Sequence, residues 1–103
     1  MNELPQAIFQ RWGHSFEEDT EGTKVYRPFE YAFPPARGRA GIEFRSDGEF
    51  IDWTIGPTDA PQRILGHWQM EGHKRVRIYF EDNIRASRVM EIIHCDENIL
   101  KVR

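Results

Sequence analysis

The chain has 103 residues, enough for one domain, of which 30% are charged and 13% aromatic. The aromatic residues supply enough large side chains to fill a single core. The formal net charge of -3 is too small to indicate a disordered acidic chain or a nucleic-acid-binding protein, so both classes are excluded.

Residues 1–11 predict a short helical lead-in to a single domain that spans residues 1–103. Leu4, Ile8 and Phe9 have a spacing that suits one or two helical turns, and the proline at position 5 is tolerated in a first turn. The next two segments, 12–19 and 23–28, are predicted to pair as a hairpin.

The stretch 31–44 combines two prolines, two arginines and two glycines and ends in a predicted strand. Its prolines stiffen an extended approach to that strand, and its glycines allow a bend. Arg37 and Arg39 have two interpretations. They either pair with the acidic run at 17–19, or converge with Arg27 on an anionic ligand at the barrel mouth.

From residue 40 onward, six segments alternate apolar and polar residues, as strands do when one face is buried. These predicted strands are 40–46, 50–56, 64–70, 75–80, 88–95 and 98–103. Tight turns are predicted at 46–49 and 71–74, and residues 56–61 form a loop rich in chain-breaking residues.

The alternation also predicts which side chains face the core. On the segment 50–56, Ile51, Trp53 and Ile55 share one face. The other residues predicted to face inward are Ile42, Phe44, Ile64, Gly66, Trp68, Met70, Val76, Ile78 and Phe80.

Together with the first hairpin, this makes about eight short antiparallel strands. The sequence therefore predicts an all-β fold, an up-and-down meander that closes as a barrel. Eight strands make a barrel just wide enough to be filled by side chains or to hold one small ligand.

The aromatic residues allow two interpretations, because rings such as Trp53 and Trp68 either plug the barrel or line an apolar pocket. In so short a barrel, large inward-facing rings leave little space, so we predict a filled interior and place any ligand at the open end. The candidate ligand-binding residues are Trp12, Tyr26, Arg27, Tyr31, Arg37, Arg39, Trp53 and Trp68.

Motifs for catalysis and metal binding are missing from the sequence. The four histidines have no metal-ligand spacing, and His94 and Cys95 are neighbours on a predicted strand, so they point to opposite faces. No serine lies in a Gly-x-Ser-x-Gly elbow. We therefore expect no metal and no cofactor. A pocket that gathers His14 or His94 with a carboxylate would favour an enzyme.

The segment "GHWQMEGHKRVRIYF" (66–80) resembles the strand–turn–strand with a Gly-x-Trp motif found in lipocalin-like and other calycin-type barrels. The preceding "GIEFRSDGEFIDW" is similar to another of their hairpins. The resemblance implies an eight-stranded up-and-down barrel in which Trp68 closes one end. Arg88 and Arg103 are candidates for the arginine that packs over that tryptophan. Such barrels include carriers of small hydrophobic molecules, chromophore-handling enzymes and protease inhibitors.

Three functions follow as hypotheses. The first is a non-catalytic binding module for a small apolar or anionic ligand. The second is a protein-directed inhibitor or subunit that uses a sheet edge or the loop 56–61, and the third is a small enzyme. The single cysteine and the lack of a signal or membrane segment favour a cytoplasmic protein without membrane contact.

Overall fold

The protein is a closed barrel of eight antiparallel strands, which confirms the predicted fold class. The computed structural model describes residues 4–36, 38–55, 61–82 and 84–103. The strands are β1 (Arg11–His14), β2 (Lys24–Pro28), β3 (Gly41–Phe44), β4 (Glu49–Ile55), β5 (Pro61–Gly72), β6 (Arg75–Phe80), β7 (Arg88–Cys95) and β8 (Leu100–Val102). Of the loop predicted at 56–61, residues 56–60 lie outside the described part, and Pro61 begins β5.

Strands β3 to β8 follow one another around the barrel, whereas the first two strands exchange places. β1 pairs with β3, and β2 closes the barrel by pairing with β8. Residues 29–40, which we call the crossover segment, connect β2 to β3 and therefore cross the outer surface of β1. Backbone bonds from Phe29 N to Arg11 O (3.0 Å) and from His14 N to Ala40 O (2.8 Å) fasten both ends to β1.

Apolar side chains from all parts of the barrel fill its interior. Trp12 has no exposed surface, and its indole N–H donates a hydrogen bond to the Ile8 carbonyl (3.0 Å). The core side chains, each at most 7% exposed, are Leu4, Ile8, Trp12, Tyr26, Ile42, Phe44, Phe50, Val76, Ile78, Met90, Ile92, Leu100 and Val102. The residues before β1 thus contribute to the core of the barrel.

Helical structure in the described ranges consists of two three-residue 3-10 turns, Gln6–Ile8 and Phe16–Glu18. The first lies inside the predicted lead-in. The second interrupts the segment predicted as a strand at 12–19, because strand pairing ends at His14. Within the described part of the chain, no helix has the length and apolar character needed to cross a membrane.

The structure reverses the predicted faces of β4. Phe50 points inward and pairs with Phe44, with 5.1 Å between the two ring centroids. Trp53 pairs with Gly41 on the opposite face and is only partly buried. Since successive side chains of a strand alternate between faces, Ile55 also points outward. The prediction that Trp53 plugs the barrel is therefore wrong.

The two faces of β4 misled the prediction because the outer face is the more apolar one. Ile51 lies on that face, yet it is only 1% exposed. The inner face instead carries Asp52, whose carboxylate lies 3.8 Å from the guanidinium of Arg88. A charged partner at the barrel end allows a polar group to replace an apolar one on the inner face.

The predicted inward face of β5 is confirmed, because Trp68 and Met70 pack against the core. The Trp68 indole N–H donates to the Arg45 carbonyl in the β3–β4 turn (2.8 Å), and its ring lies 6.0 Å from that of Phe9. Gly66 has no room for a side chain, since an added Cβ would collide with the backbone carbonyl of β6. Trp68 therefore lies at the barrel end that the N-terminal segment covers.

Candidate ligand-binding site

A pocket of about 190 Å³ lies on the outer wall of the barrel, between the crossover segment and strands β1, β3 and β4. We call it the outer-wall pocket. Its walls are the side chains of Arg11, Phe29, Phe33, Arg39 and Trp53, and its floor is formed by Gly13 and Gly41. The volume corresponds to about six water molecules at roughly 30 Å³ each, so the pocket suits a small molecule or one end of a larger one.

The two glycines of the floor let the crossover segment lie directly on the strands. An added Cβ at Gly13 would come within 2.7 Å of the Phe33 ring, and one at Gly41 would collide with the backbone carbonyl of Trp12. Because these glycines are paired across β1 and β3, they form a flat patch on the outer wall. The Phe33 ring occupies one part of this patch, and the rest is open as the pocket.

Arg11 is held between two aromatic rings. Its guanidinium carbon lies 3.8 Å from the centroid of the Phe29 ring and 3.8 Å from that of the Trp53 ring. Glu43 stands opposite Arg11 in the strand register, but its carboxylate binds Arg45 at 3.0 Å. Within the described ranges Arg11 forms no ion pair. Stacking covers the faces of a guanidinium and leaves its edge, which carries the N–H donors that match a carboxylate, available for a ligand.

Trp53 contributes a second unused donor. Its indole N–H is buried and has no hydrogen-bond partner among the described residues. An unsatisfied buried donor costs about 1–3 kcal/mol, and a water or ligand oxygen would remove that cost. Trp53 lines the pocket beside Arg11, whose edge provides the hydrogen-bond donors, and the described residues that line the pocket include no carboxylate.

Arg39, which also lines the pocket, is held by structural contacts through both terminal nitrogens. Its two terminal nitrogens bind the Glu17 carboxylate at 2.9 Å each, and they also donate to the carbonyls of His14 (2.9 Å) and Pro34 (2.8 Å). The Phe33 ring lies 4.3 Å from its guanidinium. This confirms the interpretation in which Arg39 pairs with the acidic run, and it fastens the crossover segment to β1.

Arg27 binds Glu18, the next residue of the acidic run, in the same way. Two of its nitrogens bind the Glu18 carboxylate at 2.7 and 2.8 Å, and a third donates to the Asn98 carbonyl at 3.2 Å. The Ser15 hydroxyl donates to the same carboxylate at 2.7 Å. The Arg27 and Ser15 contacts lower the pKa of Glu18 to about 2. Arg27 and Arg39 therefore bind neighbouring carboxylates of one 3-10 turn.

The pKa of Glu18 predicts how acid affects stability. Its folded value of about 2 lies below the ordinary 4.5, so the folded protein binds fewer protons than the unfolded chain between these values. The stabilisation by Glu18 is complete above about pH 4.5 and is lost as the pH falls towards 2. Because this side chain is 35% exposed, solvent screening reduces the effect, and we expect it to contribute about 1 kcal/mol.

Urea unfolding at a series of pH values measures this contribution. The Glu18→Gln variant is expected to be less stable than the parent protein near neutral pH and to lose less stability on acidification. Equal acid sensitivity of the two proteins would contradict the role of Glu18.

The other candidate residues from the sequence do not gather at one barrel mouth. Trp12 lies in the core, which corrects the expectation that it contacts the open end, and Tyr26 is only 6% exposed. Burial raises the pKa of Tyr26 to about 12. Tyr31 is exposed on the crossover segment, where its ring lies 5.2 Å from the guanidinium of Arg27. Trp68 lies at the end covered by the N-terminal segment, and Arg37 is outside the described residues.

Sequence reasoning missed Arg11, Phe29 and Phe33 as parts of the site. Arg11 was assigned to the helical lead-in, although it begins β1. Phe29 and Phe33 follow β2 in a segment without alternation, and no local signal shows that this segment crosses β1. The only available signal was the density of aromatic residues around the two prolines.

Two histidines have a carboxylate partner. Nε2 of His14 lies 2.9 Å from Asp19, and Nε2 of His94 lies 2.9 Å from Asp96. His94 is exposed, and the His14 pair is not part of the outer-wall pocket. Ser15, the serine next to His14, already donates to Glu18. In the described ranges, no three side chains of His, Cys, Asp or Glu come together as metal ligands.

The described residues define a class of structure, a closed eight-stranded antiparallel barrel with a donor-lined pocket on its outer wall. Comparison of the chain with models of known protein families, with curated proteins and with solved structures finds no match.

Proposed function

We propose that the protein is a non-catalytic, cytoplasmic binding module of the lipocalin-like, calycin type. The closed barrel and the position of Trp68 at one end support this relationship. The ligand is a small molecule with a flat apolar body and an anionic group, and it binds in the outer-wall pocket. The sequence hypothesis had the same ligand chemistry but placed it at the barrel mouth.

The stacked Arg11 is the observation that carries this proposal. Two rings fix its guanidinium plane, so little side-chain freedom is left to lose when a carboxylate binds at the edge. The buried N–H of Trp53 belongs to the same wall of the pocket. Phe29 and Phe33 provide apolar surface for the body of the ligand.

Benzoate and its uncharged analogue benzamide test the proposal, because they differ mainly in the carboxylate. We expect benzoate to shift the indole N–H signal of Trp53 in a saturable way in a heteronuclear NMR titration. Benzamide should bind the parent protein at least about tenfold more weakly than benzoate does, which corresponds to about 1.4 kcal/mol. The Arg11→Gln variant should bind benzoate more weakly than the parent protein by at least the same factor.

The control variant is Arg75→Gln, which removes an exposed arginine of β6 outside the pocket. Its affinity for benzoate should equal that of the parent protein. A titration in which the Trp53 signal does not move at millimolar benzoate, or in which Arg11→Gln binds normally, would contradict the proposal.

A second candidate function is binding of a protein partner through the crossover segment. Phe29 and Tyr31 are 54% and 43% exposed, and both lie on this segment. Exposed aromatic residues close together are typical of protein interaction sites. A partner that co-purifies with the parent protein but not with a Phe29→Ala, Tyr31→Ala variant would favour this function over small-molecule binding.

A further inference from the structure

A second pocket, of about 140 Å³, lies between β2 and β7. β8 has only three residues, and its last backbone bonds to β7 join Arg103 to Glu91. The first part of β7, from Arg88 to Met90, therefore extends beyond β8. Lys24, the first residue of β2, lies across the resulting space. We call this space the basic notch.

The described residues that line the notch include three cations and no carboxylate side chain. Lys24, Arg88 and Arg103 are its charged lining residues. The carboxylate of Asp52 lies 3.8 Å from Arg88, and that of Glu91 lies 3.8 Å from Arg103. Both distances exceed the 2.7–3.2 Å of a hydrogen bond.

Two arginines of the candidate site region are bound more closely. Arg27 and Arg39 bind their carboxylates at 2.7 and 2.9 Å. Arg88 therefore keeps donors available, and Lys24 has no ion pair in the ranges that the structure describes. The notch therefore keeps the positive charge of Lys24 and unused hydrogen-bond donors of Arg88.

Neutral groups complete the lining. The guanidinium of Arg88 lies 5.9 Å from the rings of Phe50 and Phe80, so its position is defined by the core. Tyr26 lines the notch from the side of β2. Met90, which is 5% exposed, forms an apolar inner boundary that limits access of water.

We propose that this notch binds one small oxyanion, a phosphate or carboxylate group, through Lys24 and Arg88. Its volume equals that of about five water molecules at roughly 30 Å³ each, which suits a single tetrahedral or planar oxyanion. Arginine and lysine are the side chains that proteins use for such groups. The site shares no residue with the outer-wall pocket, so its existence does not depend on the proposed function.

Titration of the full chain with inorganic phosphate or acetate, at constant ionic strength adjusted with chloride, tests this site. We expect saturable NMR shifts at the backbone amides of Lys24 and of residues 88–90. Arg88→Gln and Lys24→Gln should each weaken binding at least about tenfold, whereas the exposed Arg75→Gln control should bind normally. Lys24 is exposed, so its variant tests the site even if Arg88→Gln disturbs the fold.

Binding of phosphate alone, of acetate alone or of both would support an oxyanion site and would identify the group that it accepts. The inference is overturned if neither anion gives a saturable shift at these amides. It is also overturned if Arg75→Gln weakens binding as much as Lys24→Gln does, because the effect would then come from general charge. Shifts at residues 88–90 report this notch, whereas the Trp53 indole reports the outer-wall pocket, so either proposal can fail alone.

Discussion

Replacing Trp12 with alanine is expected to lower the free energy of unfolding by about 3–5 kcal/mol. The Trp12 side chain is fully buried in the barrel interior, and its N–H bond to Ile8 connects the N-terminal segment to β1. Alanine would leave a large cavity and would leave the Ile8 carbonyl without its indole donor. Urea denaturation followed by circular dichroism measures the change.

Trp53→Ala is the matched control for Trp12→Ala, because it removes the same side chain from the outer wall. We expect it to cost only about 1 kcal/mol or less, since the Trp53 ring is only partly buried and stacks on Arg11. If Trp12→Ala does not fold, Trp12→Phe keeps an aromatic ring and should still be less stable than Trp53→Phe. Equal losses at the two tryptophans would contradict the assignment of Trp12 to the interior and Trp53 to the outer wall.

Replacing Arg39 with glutamine is expected to lower the free energy of unfolding by about 2 kcal/mol and to loosen the crossover segment. The Arg39 side chain is only 13% exposed and makes charged hydrogen bonds to one carboxylate and two backbone carbonyls. Charge-assisted bonds contribute about 1.5–3 kcal/mol. Glutamine is too short and too weak a donor to replace these bonds.

Urea denaturation measures the global effect of Arg39→Gln, and chymotrypsin cleavage after Tyr31 measures the local one. Both the loss of stability and the faster cleavage are expected. The control is Arg45→Gln, because the Arg45 side chain is 46% exposed and binds Glu43, outside the crossover segment. Cleavage of the crossover segment at the parental rate in Arg39→Gln would show that Arg39 does not hold this segment.

Much of the fold could be predicted because it depends on local alternation. The segments 75–80 and 88–95 coincide with β6 and β7, since each has a clear two-residue period and turn residues at its ends. The pairing of Arg39 with the acidic run was also within reach. The predicted hairpin of the first two strands, followed by the next strand, was enough to place Arg39 near the acidic run.

The candidate site could be predicted only in its chemistry. Aromatic residues beside arginines were recognised, but the pocket depends on the exchange of β1 and β2, which no local pattern encodes. That exchange carries the crossover segment over β1 and brings Phe29 to Arg11. The faces of β4 were missed for a related reason, because Trp53 on the outer wall gains its partner from a strand more than thirty residues away in the sequence.

The sequence by itself determined the class of fold, the approximate positions of its strands and the aromatic and arginine side chains that the candidate site combines. These properties follow from the two-residue period of a strand and from the chemistry of single residues. Only the tertiary structure decided the strand order, the interior position of Trp12 and the outward position of Trp53. Those properties depend on contacts between distant segments, where the closure of the barrel selects one face of each strand as its interior.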